Sequence, residues 1–362
     1  MRKVLFFIIA AICLAGTAAG QIKWIGIEEA MQLQDSTQKP IMIDMYTDWC
    51  GWCKKMDAET FSDPNIASYI NANFIAVKFN AETTDTIMYP IGHIDEKTGE
   101  RVTELKPFIN LQTGNRSPHL LAQMLLSGRM SYPTIVFIDF EGNIAPVPGY
   151  QTAEGIEPLL VYFAERINKY SPWDEYMECF NATFRPDTDT TGKFEGKIDW
   201  LDFNDAVKKM KTAPKKLMLY IYSNWNTSSK IMLGGSFKEK EIAEYINKNF
   251  YAVQIPYDIT DTLTIAGHSF VNEYGQMQYP HQLVLSLLHP DYRIPAFVIF
   301  DENATHPIFV QRGFSSYSTI EKLLTYFGDD LDKKGVDLQK YYDEYISKLR
   351  EKKIMTKNKK ND

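Results

Sequence analysis

The sequence predicts an α/β chain of two tandem domains, each a central mixed sheet flanked by helices, and three observations carry that expectation. Short apolar runs suited to buried strands alternate with segments of helical periodicity. The alternation occurs twice, because the chain matches itself over most of its length. At 362 residues it also exceeds the usual size of one domain. A hydrophobic share of 44% with 23% charged residues is ordinary globular composition, so most of the chain is expected to fold. The net charge of -7, with no basic stripe before the Lys-rich C-terminus, argues against a nucleic-acid partner.

Along the chain, Arg2 and Lys3 precede an apolar run over 4–15, followed by the small residues Gly16, Ala18, Ala19 and Gly20. This is the order of a secretory signal peptide, and the expected cut falls after Gly20. The run is shorter than the roughly 20 residues of a spanning helix, so no stable membrane insertion is expected after cleavage. Export to a periplasm-like space follows. Ile12 precedes Cys13, where lipid-modified cysteines have a small residue, so lipidation is set aside. The mature chain then holds Cys50, Cys53 and Cys179, too few for a disulfide scaffold.

Copy one is expected over 21–184. It opens with an amphipathic helix over 28–33, then a buried strand over 41–46 that runs directly into Cys50. A helix over 66–71 and a strand over 74–79 follow, and after an excursion over 83–118 come a helix over 119–126 and a strand over 134–139. The turn Glu141-Gly142-Asn143 leads to a last strand, and apolar residues at helical spacing close the copy over 156–167. The excursion, with Tyr89-Pro90 and Lys106-Pro107, is expected to cap the site and shape partner choice.

Sliding the chain against itself places Cys50 on Asn226. Ile22 and Trp24 then meet Ile198 and Trp200, Trp49 meets Trp225, and Tyr69-Ile70-Asn71 meets Tyr245-Ile246-Asn247. Beyond the excursion Pro118-His119 meets Pro280-His281, and Gly149 meets Gly313. The polar segment 185–197 reads as a linker, 198–354 as the second domain, and 355–362 as a loose basic tail. A tail helix is expected over 338–350.

Asp44, Trp49-Cys50-Gly51-Trp52-Cys53-Lys54, Lys78 and Tyr132-Pro133-Thr134 resemble the active-site set of the thioredoxin superfamily, in its usual order and spacing. The resemblance covers both copies and implies two tandem thioredoxin-like domains, the second without the CxxC. It implies a redox disulfide between Cys50 and Cys53, with Cys50 the exposed nucleophile at a helix N-terminus and Cys53 the resolving thiol. Asp44 then matches a buried carboxylate that moves a proton for the resolving thiol, Lys78 its companion, and Pro133 a cis-proline. Trp49, Gly51, Trp52, Tyr132 and Pro133 would form the client surface, with the Tyr132 backbone free to pair with a client strand.

Zinc is the other use of a CxxC, but no second CxxC or close Cys/His pair completes four ligands, and no cofactor is expected. His93 and His119 read as structural, since copy two keeps His268 and His281 while lacking the cysteines. Cys179 reads as a bystander thiol. In copy two Cys50, Cys53, Asp44 and Lys78 become Asn226, Ser229, Tyr220 and Gln254, which removes thiol exchange and leaves client binding or buttressing.

The expected function is an exported thiol-disulfide oxidoreductase that reduces or relays disulfides of exported proteins, recharged by a membrane electron donor. Two alternatives stand beside it: a client-binding, chaperone-like protein in which Cys50 and Cys53 form a structural disulfide, and a disulfide oxidase or isomerase. Gly51-Trp52 lacks the His that stabilises the reduced thiolate in oxidising relatives, which favours reduction.

Overall fold

The computed structural model describes residues 20–94, 101–186, 194–276 and 278–361. The expected signal peptide over 1–20 lies outside them except for Gly20, as does most of the expected linker. Chain contacts divide the molecule into two units, Met1–Leu160 and Val161–Asp362.

The first unit holds α1 (Ile27–Thr37), β1 (Ile41–Tyr46), α2 (Gly51–Glu59), α3 (Pro64–Asn73), β2 (Ile75–Asn80), β3 (Ile87–Ile94), β4 (Arg101–Phe108), α4 (Leu120–Leu125), β5 (Thr134–Ile138) and β6 (Ile144–Pro148). Helix α5 (Ala153–Ala164) then runs across the division. The sheet order is β2-β1-β5-β6, with β1 parallel to β2 and the other pairs antiparallel, so the sheet is mixed as expected. The central strand β1, Ile-Met-Ile-Asp-Met-Tyr, is buried along nearly its whole length because helices cover both sheet faces. Its period of two sends Ile41, Ile43 and Met45 to a core shared with Ile27, Val77, Leu121 and Val136. Met42 and Asp44 therefore face the opposite side.

Local chemistry sets the boundaries of the helices around the site. Asp63 caps α3 by accepting the N–H of Asn65 and Ile66, and Pro64 fills the first helical position. His119 caps α4: its Nδ1 accepts the Leu121 N–H, and its Nε2 lies 3.0 Å from the Asp85 carbonyl. The excursion contains the β3–β4 hairpin, which puts Tyr89 into the core beside α1.

The second unit holds α6 (Trp173–Phe184), α7 (Phe203–Met210), β7 (Lys216–Tyr222), α8 (Thr227–Gly234), α9 (Lys240–Asn249), β8 (Phe250–Pro256), β9 (Leu263–Ile265), β10 (His268–Phe270), α10 (Gln282–Leu288), β11 (Ala296–Phe300) and β12 (Pro307–Arg312), closed by α11 (Tyr317–Gly328), α12 (Leu338–Glu344) and α13 (Lys348–Asn361). Its main sheet has the order β12-β11-β7-β8, which is the topology of the first, with β7 parallel to β8.

Three expectations change here. Helix α6, expected to finish the first domain, belongs to the second unit: it packs on α8, and Glu175 accepts hydrogen bonds from the Ser318 N–H and hydroxyl. The reason is aromatic and ionic content that periodicity does not assign to a partner. Tyr176 meets Phe314, and Arg350 pairs with Glu175 at 2.8 Å. The tail helix expected over 338–350 is two helices, broken between Glu344 and Lys348. The tail expected to be loose is helical to Asn361, anchored by Lys353, which pairs with Glu178 and Glu239.

Close approach of α6 to α8 depends on Gly235, where an added Cβ would lie 2.6 Å from the Cys179 Cα. Gly235→Ala is expected to destabilise the fold by roughly 1–3 kcal/mol, through forced displacement of backbone rather than loss of a contact. Urea unfolding followed by circular dichroism measures this. An unchanged midpoint would show that α6 does not need that packing.

Candidate active site

Strand β1 runs into a short turn, closed by the Cys50 N–H donating to the Thr47 carbonyl at 3.1 Å, and α2 begins immediately after. Cys50 is the N-cap of α2, and its Sγ accepts the Cys53 N–H at 3.0 Å. An orphan helix N–H and the positive end of the helix dipole therefore both fall on the first sulfur, the arrangement that stabilises a thiolate. The two cysteines are joined in a disulfide. The expectation of an exposed Cys50 is corrected: it is 4% exposed, beside 2% for Cys53, because its sulfur is turned into the start of the helix.

The parallel register of β1 and β2 sets Asp44 directly beside Lys78. Asp44 is fully buried, and the Lys78 ammonium reaches its Oδ2 at 2.6 Å. The same Nζ pairs with Asp57 on α2, which sequence reasoning missed because the two lie 21 residues apart in the chain. Trp24, Tyr46 and Phe61 hold their rings 5.2, 5.1 and 5.8 Å from that ammonium. Burial pushes the Asp44 carboxyl from 3.8 up to about 6, with Lys78 pulling against the shift and Asp57 adding to it. For Lys78, burial opposes the charged form, but Asp44 and Asp57 outweigh it and hold its pKa above the ordinary value.

Tyr132-Pro133 is a cis peptide, as is Ile294-Pro295 at the matching place in the second unit. In each, a glycine in the left-handed region donates its N–H to the proline carbonyl: Gly149 at φ 100° to Pro133, and Gly313 at φ 80° to Pro295. The Tyr132 ring stands edge-on to Trp49 at 6.1 Å, so the residue before the cis-proline and the residue before Cys50 share one wall. Burial, then the Glu82 carboxylate, push the Tyr132 phenol up to about 12.

A groove of about 290 Å³ opens there, lined by Trp49, Glu82, Arg116, Pro118, Met130 and Tyr132. Trp49 donates its indole N–H to both oxygens of Glu82 at 3.0 Å, while the Arg116 guanidinium lies over its ring at 4.3 Å. Glu82, Arg116 and Met130 were not singled out in the sequence, since no motif marks them. Of the excursion, Arg116 and Pro118 line this groove, while the β3–β4 hairpin packs beside α1. Trp52, 57% exposed, turns to Tyr150 and Lys55 rather than into this groove. Gly51 opens α2 with no atom within 4 Å of where a Cβ would stand, so space does not demand glycine.

The matching place in the second unit keeps the geometry and changes the chemistry. Asn226 caps α8 through Oδ1, which accepts from the Ser229 N–H at 2.7 Å and the Ser229 hydroxyl at 2.8 Å. The Glu165 carboxylate covers the same helix start, accepting from the Ser228 N–H at 3.1 Å and the Asn226 amide at 3.2 Å. Tyr220, in the place of Asp44, is fully buried and donates to the Ser229 carbonyl at 2.9 Å. Cys179 is buried in this unit, and burial pushes its thiol up, so it carries little thiolate. His281 caps α10 just as His119 caps α4. Among the described residues no group of three or more His, Cys, Asp or Glu could hold a metal ion.

Residues 27–164 match the thioredoxin-like domain family. The thiol:disulfide interchange protein DsbD of Pectobacterium atrosepticum is 28% identical over 139 residues, covering 37% of this chain and 17% of that protein. DsbD of Escherichia coli strain K12 is 35% identical over 65 residues, covering 18% of this chain and 11% of that protein. The chain thus spans less than a fifth of the curated relatives it matches. Among solved structures, a DsbH oxidoreductase aligns at 20% identity and a TM-score of 0.26, covering 39% of this chain and 84% of that one.

The raised pKa of Asp44 makes a prediction about stability. The folded chain holds this proton more tightly than the unfolded chain, so folding loses stability as pH rises from 3.8 through about 6. Asp44→Asn is expected to raise stability at about pH 8 by on the order of 1–3 kcal/mol, and the gain should vanish near about pH 3. Urea midpoints across that range test it. A gain that does not change with pH would remove Asp44 as the titrating group.

Proposed function

We propose, from the match of residues 27–164 to the thioredoxin-like domain family, that the chain is an exported thiol-disulfide oxidoreductase that reduces or relays disulfides of exported proteins. The observation that carries this reading is the Cys50 sulfur seated on the first N–H groups of α2 and closed onto Cys53.

In the reducing direction the Cys50 thiolate attacks one sulfur of a client disulfide. A Cys50–client bond forms, and the other client sulfur leaves as a thiolate carrying the electron pair. The Cys53 thiolate then attacks the Cys50 sulfur and releases the second client thiol. The client gains two electrons and the protein ends as the Cys50–Cys53 disulfide. Asp44, held near neutrality in its pKa, takes and returns the Cys53 proton, and Lys78 steadies its charged form. Recharging needs a dithiol donor, which we assign to a membrane protein facing the exported compartment. The expected leader over 1–20 supports that location, and no helix among the described residues is long and apolar enough to cross a membrane.

Trp49, Tyr132 and the cis-Pro133 backbone serve the client in this reading, with Gly51 and Trp52 at its margin. The second unit takes no part in thiol exchange in this reading, because Asn226 and Ser229 stand where the first has Cys50 and Cys53, and Glu165 covers the helix start. A second reading, a client-binding protein with a structural disulfide, is favoured by the burial of both cysteines.

Two measurements separate these readings. Oxidoreductase activity requires Cys50→Ser to abolish exchange and Cys53→Ser to accumulate a client-linked mixed disulfide, seen on non-reducing gels. A reduction potential near about -270 mV supports the reductase, and one near about -120 mV makes the protein an oxidant. A pair that stays oxidised far below the thioredoxin value, with no trapped client, establishes the structural disulfide.

A further inference from the structure

The excursion leads into α4 through a turn organised by Asn110, whose Nδ2 donates to the carbonyls of Glu82, Thr83 and Ser117 at 3.2, 3.1 and 2.8 Å. This turn carries Arg116, in the left-handed region at φ 61°, to the wall of the groove lined by Trp49, next to Cys50 in the chain, and Tyr132, next to the cis-proline. Its guanidinium lies over the face of Trp49, and the ring plane is itself fixed by the indole N–H on Glu82. Glu82 therefore sits at the edge of the indole and Arg116 over its face, in two different directions. Among the described residues no carboxylate pairs with Arg116. A planar cation is thus held on an aromatic platform with its N–H fork unengaged among the described residues, the form that takes a carboxylate through two parallel hydrogen bonds.

The second unit supplies an internal comparison. Asn272 organises the matching turn, donating to the carbonyls of Asp258, Gln276 and Tyr279. Gln278, at φ 87°, occupies the place of Arg116. The backbone device is present in both units, but the charge stands only beside the cysteines.

We propose that Arg116 determines client specificity by selecting polypeptides that carry a carboxylate next to their reactive cysteine. The inference rests on the oxidoreductase reading and names the class of its substrate. The Trp49 platform limits the freedom of the arginine before binding, so less entropy is lost when the carboxylate docks. The same contact would hold the client sulfur close to Cys50 during attack.

The test uses hexapeptides with one cysteine, activated as pyridyl disulfides and flanked by Glu, Gln or Lys, reacted with the reduced full chain. Wild type is expected to react with the Glu peptide about five- to tenfold faster than with its neutral Gln counterpart. Arg116→Glu should invert the order in favour of Lys, and the preference should shrink with added salt. Equal Glu-to-Gln ratios in wild type and Arg116→Glu would overturn the proposal. A chain that reacts with no peptide sinks the oxidoreductase reading instead, and calorimetric titration of the oxidised protein with Ser-for-Cys peptides then decides the specificity. Tighter Glu-peptide binding that is lost in Arg116→Glu sustains it, and equal affinities overturn it.

Discussion

The parallel pairing of β1 with β2 is the constraint on which the site depends. A strand buried on both faces has no water to offer a carboxylate, yet this one carries Asp44 at its centre. The register makes that tolerable by bringing Lys78 alongside, and Lys78 is held in turn by Asp57 and three aromatic rings. Compensation is only partial, which is why the Asp44 carboxyl stays near 6 rather than returning to the ordinary range. The same strand ends in the turn that presents Cys50 to α2, so the carboxylate and the sulfur are positioned by one element.

The second unit shows what the backbone does when that chemistry is absent. Its sheet has the same order, and its register pairs Tyr220 with Gln254 where the first unit pairs Asp44 with Lys78. The phenol fills the volume and finds a carbonyl at its far end, so the buried polar group is satisfied without a counter-charge. Gln254 can then face solvent. At the helix start Asn226 reproduces the cap that Cys50 provides, and Glu165 accepts the Ser228 N–H and the Asn226 amide there. The structure of the site outlasts its reactivity because caps and core volume stabilise the fold, whereas a thiol pair does not need to.

Much of this was legible in the sequence. The apolar run over 41–46 with one carboxylate inside it, the CxxC directly after it, and a proline before the next strand each occupy their expected element. Periodicity and spacing report such features because they are local. Asp57, Glu82 and Arg116 were not legible: each acts through a partner distant in sequence, and a charged residue in a helix or loop looks like any solvated one. Helix α6 was assigned to the wrong neighbour for a related reason. Its amphipathic pattern shows that one face is buried but not against what, and Phe314, Ser318 and Arg350, which hold Tyr176 and Glu175, lie beyond residue 300.

By itself, then, the sequence determined the alternating elements of each copy, the cysteine pair at a strand-to-helix junction, and the loss of thiol chemistry in the second copy. These are properties of residue type and short spacing. Tertiary structure alone decided the burial of Cys50, the three-charge cluster around Lys78, the Trp49 platform beneath Arg116 and the closure of the second helix start by Glu165. Each of those depends on which side chains are brought within a few ångströms after the chain has turned back on itself, and on how much water the surrounding core leaves between them.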